Sequence, residues 1–287
     1  RFHQDLFVET TNEYFNNKDE KKMNKKFIWG AVPRSGKSYM IAGMIDKRKI
    51  LGSNNDILII LGAKSETELQ FYNMFNEFDN FKDYGIIKFS EYKKKEKEEK
   101  EKNIYISSQE ILKINKKTIE KYTNLFKKKK IDIYFDEIHH GGSSDKSKKI
   151  INFFIDNKFN IELFVMVTAT YAKPTIAYNS ILDNKPPIIL NWSYEDQQIM
   201  KQITNETKYN QFILSRNDDI QKKVIENLFA EYKIKYGADY LKILEDEYNK
   251  HPELVIIQPF IDIPKDKDQE PELFNIHGNL FKLKCDA

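Results

Sequence analysis

Short, continuous apolar runs alternate with helix-forming stretches along most of this chain. The runs that precede residue 193 occupy positions 26–32, 56–63, 86–89, 103–106, 131–135, 161–167 and 187–192. A strand that is apolar throughout, rather than at every second position, indicates burial on both faces of a sheet. Strands that alternate with helices indicate parallel pairing through right-handed crossovers. The pattern therefore predicts an α/β fold, in which one parallel sheet is flanked by helices.

Helix signals mark the segments between and after these runs. Ser65-Glu-Thr-Glu68 is typical of a capping box at a helix start. Residues 194–248 have a polar helical pattern, and Asp218-Asp219 is the expected cap of one helix within it. His251-Pro252 interrupts this pattern, and the apolar run at 253–258 predicts one further strand.

Composition narrows the class of protein and its surroundings. Of the 287 residues, 40% are apolar, which is enough for a sizeable core. The 47 basic and 44 acidic residues leave a net charge of +3, so any contact with a polyanion must be local. The single cysteine, Cys285, excludes an internal disulfide and fits a reducing compartment. No apolar run approaches the ~20 residues that span a bilayer, and no signal peptide is recognisable. We therefore expect an intracellular protein of the cytoplasm or nucleus (of the host cell, if the source is viral) that does not enter a membrane.

The first functional motif lies at 31–38, where a strand-like run meets a helical one, and reads Ala-Val-Pro-Arg-Ser-Gly-Lys-Ser. A tight turn between a strand and a helix aims several backbone N–H groups at one point, and the helix N-terminus adds positive potential there. In such a phosphate-binding loop, Gly36 lets the backbone approach a phosphate, Lys37 reaches the β- and γ-phosphates, and Ser38 offers its hydroxyl to magnesium. The candidate nucleotide-binding residues are therefore Pro33, Arg34, Ser35, Gly36, Lys37, Ser38 and Tyr39.

This loop departs from the usual eight-residue pattern. The pattern begins with glycine, whereas this chain has Ala31, with Gly30 one step earlier. Pro33 and Arg34 stand where small residues are common, and Pro33 pre-sets the turn by fixing φ. A purely structural turn is the alternative interpretation of the segment.

The second motif, Asp136-Glu137-Ile138-His139, ends another apolar strand far downstream. Hydrolysis of a phosphoanhydride needs charge neutralisation and an aligned water. Asp136 is the expected magnesium ligand together with Ser38, and Glu137 is expected to orient and deprotonate the water, so Lys37, Asp136 and Glu137 are the catalytic candidates. No Cys/His set accompanies His139, which argues against a zinc site. His139 is instead a candidate for coupling the nucleotide to a neighbouring domain. The alternative is a solvated Asp-Glu pair at a strand end.

A third segment, Thr168-Ala169-Thr170, follows another apolar strand. In this order, Gly36-Lys37-Ser38, Asp136 to His139 and Thr168 to Thr170 resemble the motifs of superfamily-two helicases of the DExH type. The most similar group is restriction-enzyme-like (ResIII), and some giant-virus helicases have a similar Pro-Arg-Ser-Gly-Lys-Ser loop. The resemblance covers residues 1 to about 192. Within it, Gln4 resembles the adenine-contacting glutamine of the family.

The resemblance implies two RecA-like domains, with ATP and Mg²⁺ between them and a nucleic acid strand across the top. Residues 1–193 would form the first domain, 194–252 a helical connector, and 253–287 the start of a second lobe. Thr168 and Thr170 would couple hydrolysis to motion. The expected partner is single- or double-stranded nucleic acid, with DNA favoured over RNA. The expected nucleic-acid contacts are Lys64, Ser65 and Ser108. For Ser65, a role in capping the helix explains the residue equally well.

The implied function is that of an ATP-driven helicase or translocase motor. The family places an arginine finger in its second domain, and Arg216 is the only arginine downstream of the acidic motif. Because such a finger is worth about a thousandfold or more in rate, we expect residues 1–287 to bind Mg-ATP but to hydrolyse it slowly. One alternative is the motor subunit of a restriction or defence nuclease, with a nuclease partner. Another is a nucleotide-binding scaffold that does not unwind.

Overall fold

Parallel strands form a single seven-stranded sheet within the described part of the chain. The computed structural model describes residues 1–16, 25–62, 65–91, 100–109, 111–112, 122–136, 145–156, 159–169, 187–203, 206–249, 273–276 and 279–282. The strands of the sheet are β1 (Lys26–Ala31), β2 (Asp56–Leu61), β3 (Tyr84–Lys88), β4 (Lys102–Ser108), β5 (Lys130–Asp136), β6 (Asn160–Thr168) and β7 (Ile188–Trp192). Their spatial order is β3-β4-β2-β5-β6-β1-β7, and every adjacent pair is parallel. The predicted parallel α/β sheet is confirmed.

Helices cover both faces of this sheet. Those in the described residues are α1 (Phe2–Asn16), α2 (Lys37–Ile50), α3 (Ser65–Glu77), α4 (Asp145–Asp156), α5 (Tyr194–Met200), α6 (Glu206–Leu214), α7 (Asp219–Tyr236) and α8 (Tyr240–Asn249). Successive side chains of a strand point to opposite faces, so Ile59 enters one core and Ile60 the other. Helices α1–α3 and α5–α8 pack in the first core, and α4 packs in the second. Both faces are therefore buried, as the continuous apolar runs predicted.

Element bounds differ little from those predicted. The third strand begins at Tyr84 rather than at Ile86. The Asp218 carboxylate accepts a hydrogen bond of 3.0 Å from a backbone amide in the first turn of α7, so it is the predicted N-cap. The strand predicted at 253–258 and the side chain of Ser65 in the predicted capping box lie outside the described residues.

Contacts divide the chain into two units, Arg1–His251 and Pro252–Ala287. The first unit contains the seven-stranded sheet and helices α1–α8. In the second unit, β8 (Leu273–Ile276) pairs antiparallel with β9 (Asn279–Lys282). The domain boundaries placed after residues 193 and 252 stay a prediction.

The helices that follow β7 pack against α1. Phe2 of α1 lies edge-on to Phe212 of α6, with 6.3 Å between ring centroids, and to Phe229 of α7, with 4.9 Å. The Tyr14 hydroxyl of α1 donates to Asp218, the N-cap of α7. These helices therefore share a core with the first helix of the chain. Of all the helices in the described ranges, none combines the length and the apolar character needed to cross a bilayer.

A buried ion pair joins α2 to β5. Arg48 Nε donates to Asp132 Oδ2 at 2.5 Å, and both side chains are nearly inaccessible to solvent. Asn55 Nδ2 donates to Asp132 Oδ1 at 2.8 Å, and Arg48 also pairs with Glu162 at 3.1 Å. Buried charges need such partners, because the removal of each ion from water costs several kcal/mol. The pair therefore fixes α2, the helix after the phosphate-binding motif, against the sheet.

Replacement of Asp132 with Ala should lower the free energy of unfolding by about 3–5 kcal/mol, because Arg48 would stay buried without its main partner. The control is Lys82→Ala, which removes an exposed ion pair with Asp79 and should cost less than about 1 kcal/mol. Urea unfolding followed by circular dichroism measures both changes. Equal losses in the two variants would contradict the role assigned to the buried pair.

Candidate functional site

The candidate site lies at the carboxyl ends of the strands, where β1 leads into α2. The Ser35 amide donates to the Val32 carbonyl at 3.2 Å, which closes a tight turn between strand and helix. Gly36 follows as the N-cap of α2, and it has no side chain that could cap the helix. The first N–H groups of a helix favour an anion. The segment at 31–38 therefore has the strand–turn–helix context that a phosphate-binding loop requires.

Gly36 is the position where this turn requires glycine. Its φ is 81°, in the left-handed region, and a Cβ added there would lie 2.3 Å from Gln4 Nε2. The same amide nitrogen donates to the Ser35 carbonyl at 3.2 Å. Gln4, the predicted adenine contact, therefore lies directly beside the loop and holds one of its carbonyl groups.

A pocket of about 440 Å³ joins the loop to the acidic motif. This volume is within the usual range for ligand pockets. The residues that line it are Arg34, Gly36, Lys37, Ser38, Tyr39, Gln70, Phe71, Asn73, Met74, Glu77 and Asp136. The structure thus brings Lys37 and Ser38 together with Asp136, although the two motifs are far apart in sequence. The wall contributed by α3, from Gln70 to Glu77, had no signal in the sequence.

Strand order explains why the two motifs meet. β1 and β5 are not neighbours, but both pair with β6, which lies between them. The carboxyl ends of these three strands therefore carry the loop, Thr168 and Asp136 side by side. Thr168 is in register with Gly30 of β1 and is fully buried. Its predicted coupling role stays a prediction.

Two charged residues of the pocket are largely withdrawn from solvent, since Lys37 is 8% exposed and Asp136 is 4% exposed. The Asp136 carbonyl accepts a hydrogen bond from the Gly62 amide at 2.9 Å, which joins the tip of β5 to the end of β2. The Asp136 carboxylate and the Ser38 hydroxyl are oxygen ligands of the kind that Mg²⁺ prefers. Within the described ranges, no three His, Cys, Asp or Glu side chains are grouped to hold a metal ion.

Other residues predicted from the motifs have different surroundings. The Ser108 hydroxyl is buried and accepts a hydrogen bond from the Ile111 amide at 3.3 Å, so it caps a turn. Within the loop, Pro33 is exposed and Ser35 is buried. Tyr39 is exposed and lines the pocket. The residues that lie outside the described part are Lys64, Glu137, His139, Thr170 and, for its side chain, Ser65.

His3, which the sequence did not single out, contacts the loop and is itself positioned by Tyr248 and Trp192. His3 Nε2 lies 2.7 Å from the Ser35 carbonyl oxygen, and His3 Nδ1 lies 2.7 Å from the Tyr248 hydroxyl. Because a carbonyl only accepts, Nε2 carries the proton and Nδ1 accepts from the tyrosine. The imidazole also stacks on Trp192, with 5.1 Å between ring centroids. His3 and Tyr248 are 245 residues apart, so no local pattern reveals the pair.

Burial lowers the pKa of His3 from 6.5 to about 4, because the charged ring would lose its hydration. The hydrogen bond to the Ser35 carbonyl raises this pKa in part, and the nearby Arg1 lowers it further. The imidazole is therefore neutral at physiological pH, which its acceptance of a hydrogen bond from Tyr248 also requires.

Arg216, the arginine downstream of the acidic motif, stabilises the framework. Its guanidinium pairs with Asp196, donates to the Asn191 carbonyl at 3.3 Å and lies over the Phe212 ring, 4.6 Å from its centroid. Asp196 in turn forms a capping box with Ser193 at the start of α5. Arg216 therefore joins the end of β7 to α5 and α6.

A decrease in pH from 6.5 towards 4 should reduce the free energy of unfolding by up to about 3 kcal/mol through His3 alone. Below pH 6.5 the unfolded chain binds a proton at this histidine, whereas the folded protein does so only near pH 4. The stability that the neutral His3 provides is therefore present in full above pH 6.5 and is lost as the pH falls towards 4. Urea titrations at several pH values, with His3→Gln for comparison, measure it. Parallel pH dependences of the two proteins would contradict a buried neutral imidazole.

The solved structures that match this chain include helicase domains. The crystal structure of the Pyrococcus furiosus Hef helicase domain has a TM-score of 0.49 and 11% identity, and the match covers 87% of this chain and 57% of that one. The UvsW helicase from bacteriophage T4 has a TM-score of 0.44 and 14% identity, and the match covers 64% of this chain and 59% of that one. Mss116p bound to ssRNA and AMP-PNP has a TM-score of 0.47 and 17% identity, and the match covers 63% of this chain and 39% of that one. The matched region is thus less than two thirds of each of these chains.

Comparison with protein families gives a match over residues 1–173, from the helix that carries Gln4 to just beyond Thr168. No curated protein sequence matches the chain. The matched residues include the phosphate-binding loop, the acidic motif and most of the parallel sheet. Because this match covers more than half of the 287 residues, the chain belongs to the family described as type III restriction enzyme, res subunit.

Proposed function

We propose that this chain is the Mg-ATP-binding motor domain of a nucleic-acid helicase or translocase. The main support is the single pocket that Lys37, Ser38 and Asp136 share at the carboxyl ends of parallel strands. Ligands of open α/β sheets bind at this edge. Membership of the restriction-enzyme family agrees with such a motor.

The residues around the pocket have distinct roles in this proposal. Lys37 neutralises charge on the β- and γ-phosphates. Ser38 and Asp136 would hold Mg²⁺, with phosphate oxygens and water as its remaining ligands. When bound, the ion neutralises charge that develops on the phosphates during hydrolysis. Glu137 orients and deprotonates the attacking water, and Gln4 contacts the adenine.

Coupling and nucleic-acid binding are assigned from the resemblance of the sequence motifs to those of the helicase family. Thr168 lies between the strand of the loop and the strand of Asp136, so it is suited to couple hydrolysis to motion together with Thr170 and His139. The proposed partners are a second RecA-like domain and a single- or double-stranded nucleic acid, with DNA preferred. The proposed nucleic-acid contacts are Lys64, Ser65 and the segment of Ser108, whose own hydroxyl is buried and caps a turn.

Turnover by residues 1–287 alone is expected to be slow. An arginine finger stabilises the transition state of phosphoryl transfer and raises the rate about a thousandfold or more. Arg216 already pairs with Asp196 and stacks on Phe212, so it is suited to the framework rather than to this task. A second domain would supply the finger.

The description of the matched family favours one further candidate, the motor subunit of a restriction or defence nuclease. The same nucleotide pocket would serve that function, and the nuclease would be a partner. The two candidates differ in whether nucleic acid is cut after ATP-driven movement, which a cleavage assay on the full-length protein distinguishes.

Replacement of Lys37 with Ala should weaken the binding of a fluorescent ATP analogue about tenfold or more, since a hydrogen bond to a charged group is worth about 1.5–3 kcal/mol. Lys47→Ala is the matched control, because Lys47 is in the last turn of the same helix and pairs with Glu9. It should leave the affinity unchanged. Removal of Mg²⁺ with EDTA should also weaken binding. Equal affinities of Lys37→Ala and the unchanged protein would rule out the loop as the nucleotide site.

In the full-length protein, ATP hydrolysis should increase when single-stranded DNA or RNA is added, because strand binding is coupled to turnover. Glu137→Gln should abolish hydrolysis and preserve ATP binding, since only the alignment and deprotonation of water are lost. Phosphate release measured with and without each polymer provides the test. The absence of stimulation by either polymer would instead favour a nucleotide-binding scaffold.

A further inference from the structure

Arg34 has a backbone conformation that a residue with a side chain rarely adopts. Its φ is 62°, and among the described residues it alone has a positive φ without being glycine. In this left-handed region the Cβ crowds the following carbonyl oxygen, a cost that glycine avoids. The loop thus has an arginine where its backbone favours glycine.

The turn is closed by its own backbone. Its closing hydrogen bond runs from the Ser35 amide to the Val32 carbonyl, both backbone groups. His3 and Gln4 hold the turn through the Ser35 carbonyl, again without a side chain of the loop. Glycine at position 34 would satisfy the same geometry with less strain. Residues held in such strain cluster at active sites and ligand clamps.

The Arg34 side chain lies in the nucleotide pocket. It lines the same cavity as Lys37, Ser38 and Asp136, and it belongs to an exposed residue at the tip of the turn. Lys37 and Asp136 mark the part of the cavity that would take the β- and γ-phosphates and the metal ion. Arg34 therefore adds a second cation at the phosphate end, on the loop itself.

We propose that Arg34 binds the terminal phosphate of a nucleoside triphosphate and thereby makes this domain selective for ATP over ADP. The inference rests on the proposed function. A planar guanidinium donates two parallel hydrogen bonds, and a terminal phosphate offers the non-bridging oxygens that accept both. Lys37, by contrast, interacts as a point charge and contributes to the binding of both nucleotides.

Three variants separate the charge of Arg34 from the strain of its backbone. Arg34→Gly removes both, Arg34→Ala removes the charge and keeps the strain, and Arg34→Lys keeps a charge without the planar fork. For each variant, and for Lys37→Ala, the affinities for fluorescent ATP and ADP analogues are measured with Mg²⁺ present. The melting temperature of each variant is measured in parallel.

Arg34→Gly should lower the affinity for ATP about tenfold or more and that for ADP less than about threefold. Its melting temperature should be no lower than that of the unchanged protein, because glycine relieves the strain. Arg34→Ala should lose as much ATP affinity and melt below Arg34→Gly. Arg34→Lys should recover part of the ATP affinity. Lys37→Ala should lose affinity for both nucleotides.

An unchanged ratio of ATP to ADP affinity in Arg34→Gly, with Lys37→Ala still weakened for both, would overturn the role of Arg34 and leave the proposed function intact. A parallel loss of both affinities with a lower melting temperature in Arg34→Gly would also overturn it, because the residue would then be structural. Failure of the unchanged protein to bind either nucleotide would overturn the proposed function and this inference together.

Discussion

Burial of the sheet on both faces is the constraint on which the rest of this structure depends. Neighbouring side chains such as Ile59 and Ile60 enter opposite apolar cores, so apolar side chains cover most of the sheet. Groups that bind a charged ligand must then lie where the strands end. Asp136 and Thr168 are the last residues of β5 and β6, and the turn proposed to bind phosphate begins directly after β1. The position of the site is thus a consequence of how the core is filled.

The strands and the edge that the two motifs share could be predicted from the sequence, because both follow from local patterns. A continuous apolar run gives a strand, and parallel pairing brings the carboxyl ends of all strands to one edge. That Lys37 and Asp136 line one pocket depends in addition on the strand order, in which β6 alone separates β1 from β5. The wall formed by α3 could not be predicted in this way. The direction in which Gln70 and Glu77 point depends on how that helix packs against the sheet.

The remaining contacts join residues that no local pattern connects. Arg216 is one of many basic residues in a polar stretch, and only the folded chain places it against Asp196. Asp132 interrupts an apolar strand, and its partner Arg48 ends a helix that begins at the phosphate loop. The strained backbone of Arg34 is likewise a property of the closed turn. The sequence shows that arginine is unusual at this position of the motif, but it does not show that the residue has a positive φ.

Ser35, His3 and Tyr248 form an unbroken chain of hydrogen bonds between the loop and α8. Both side-chain links measure 2.7 Å, and the imidazole between them stacks on the Trp192 ring. A displacement of α8 would therefore tilt the peptide group that follows Ser35, whose N–H belongs to Gly36. α8 is thus connected, through two side chains, to the peptide group between Ser35 and Gly36, and Gly36 lines the pocket that contains Lys37 and Asp136.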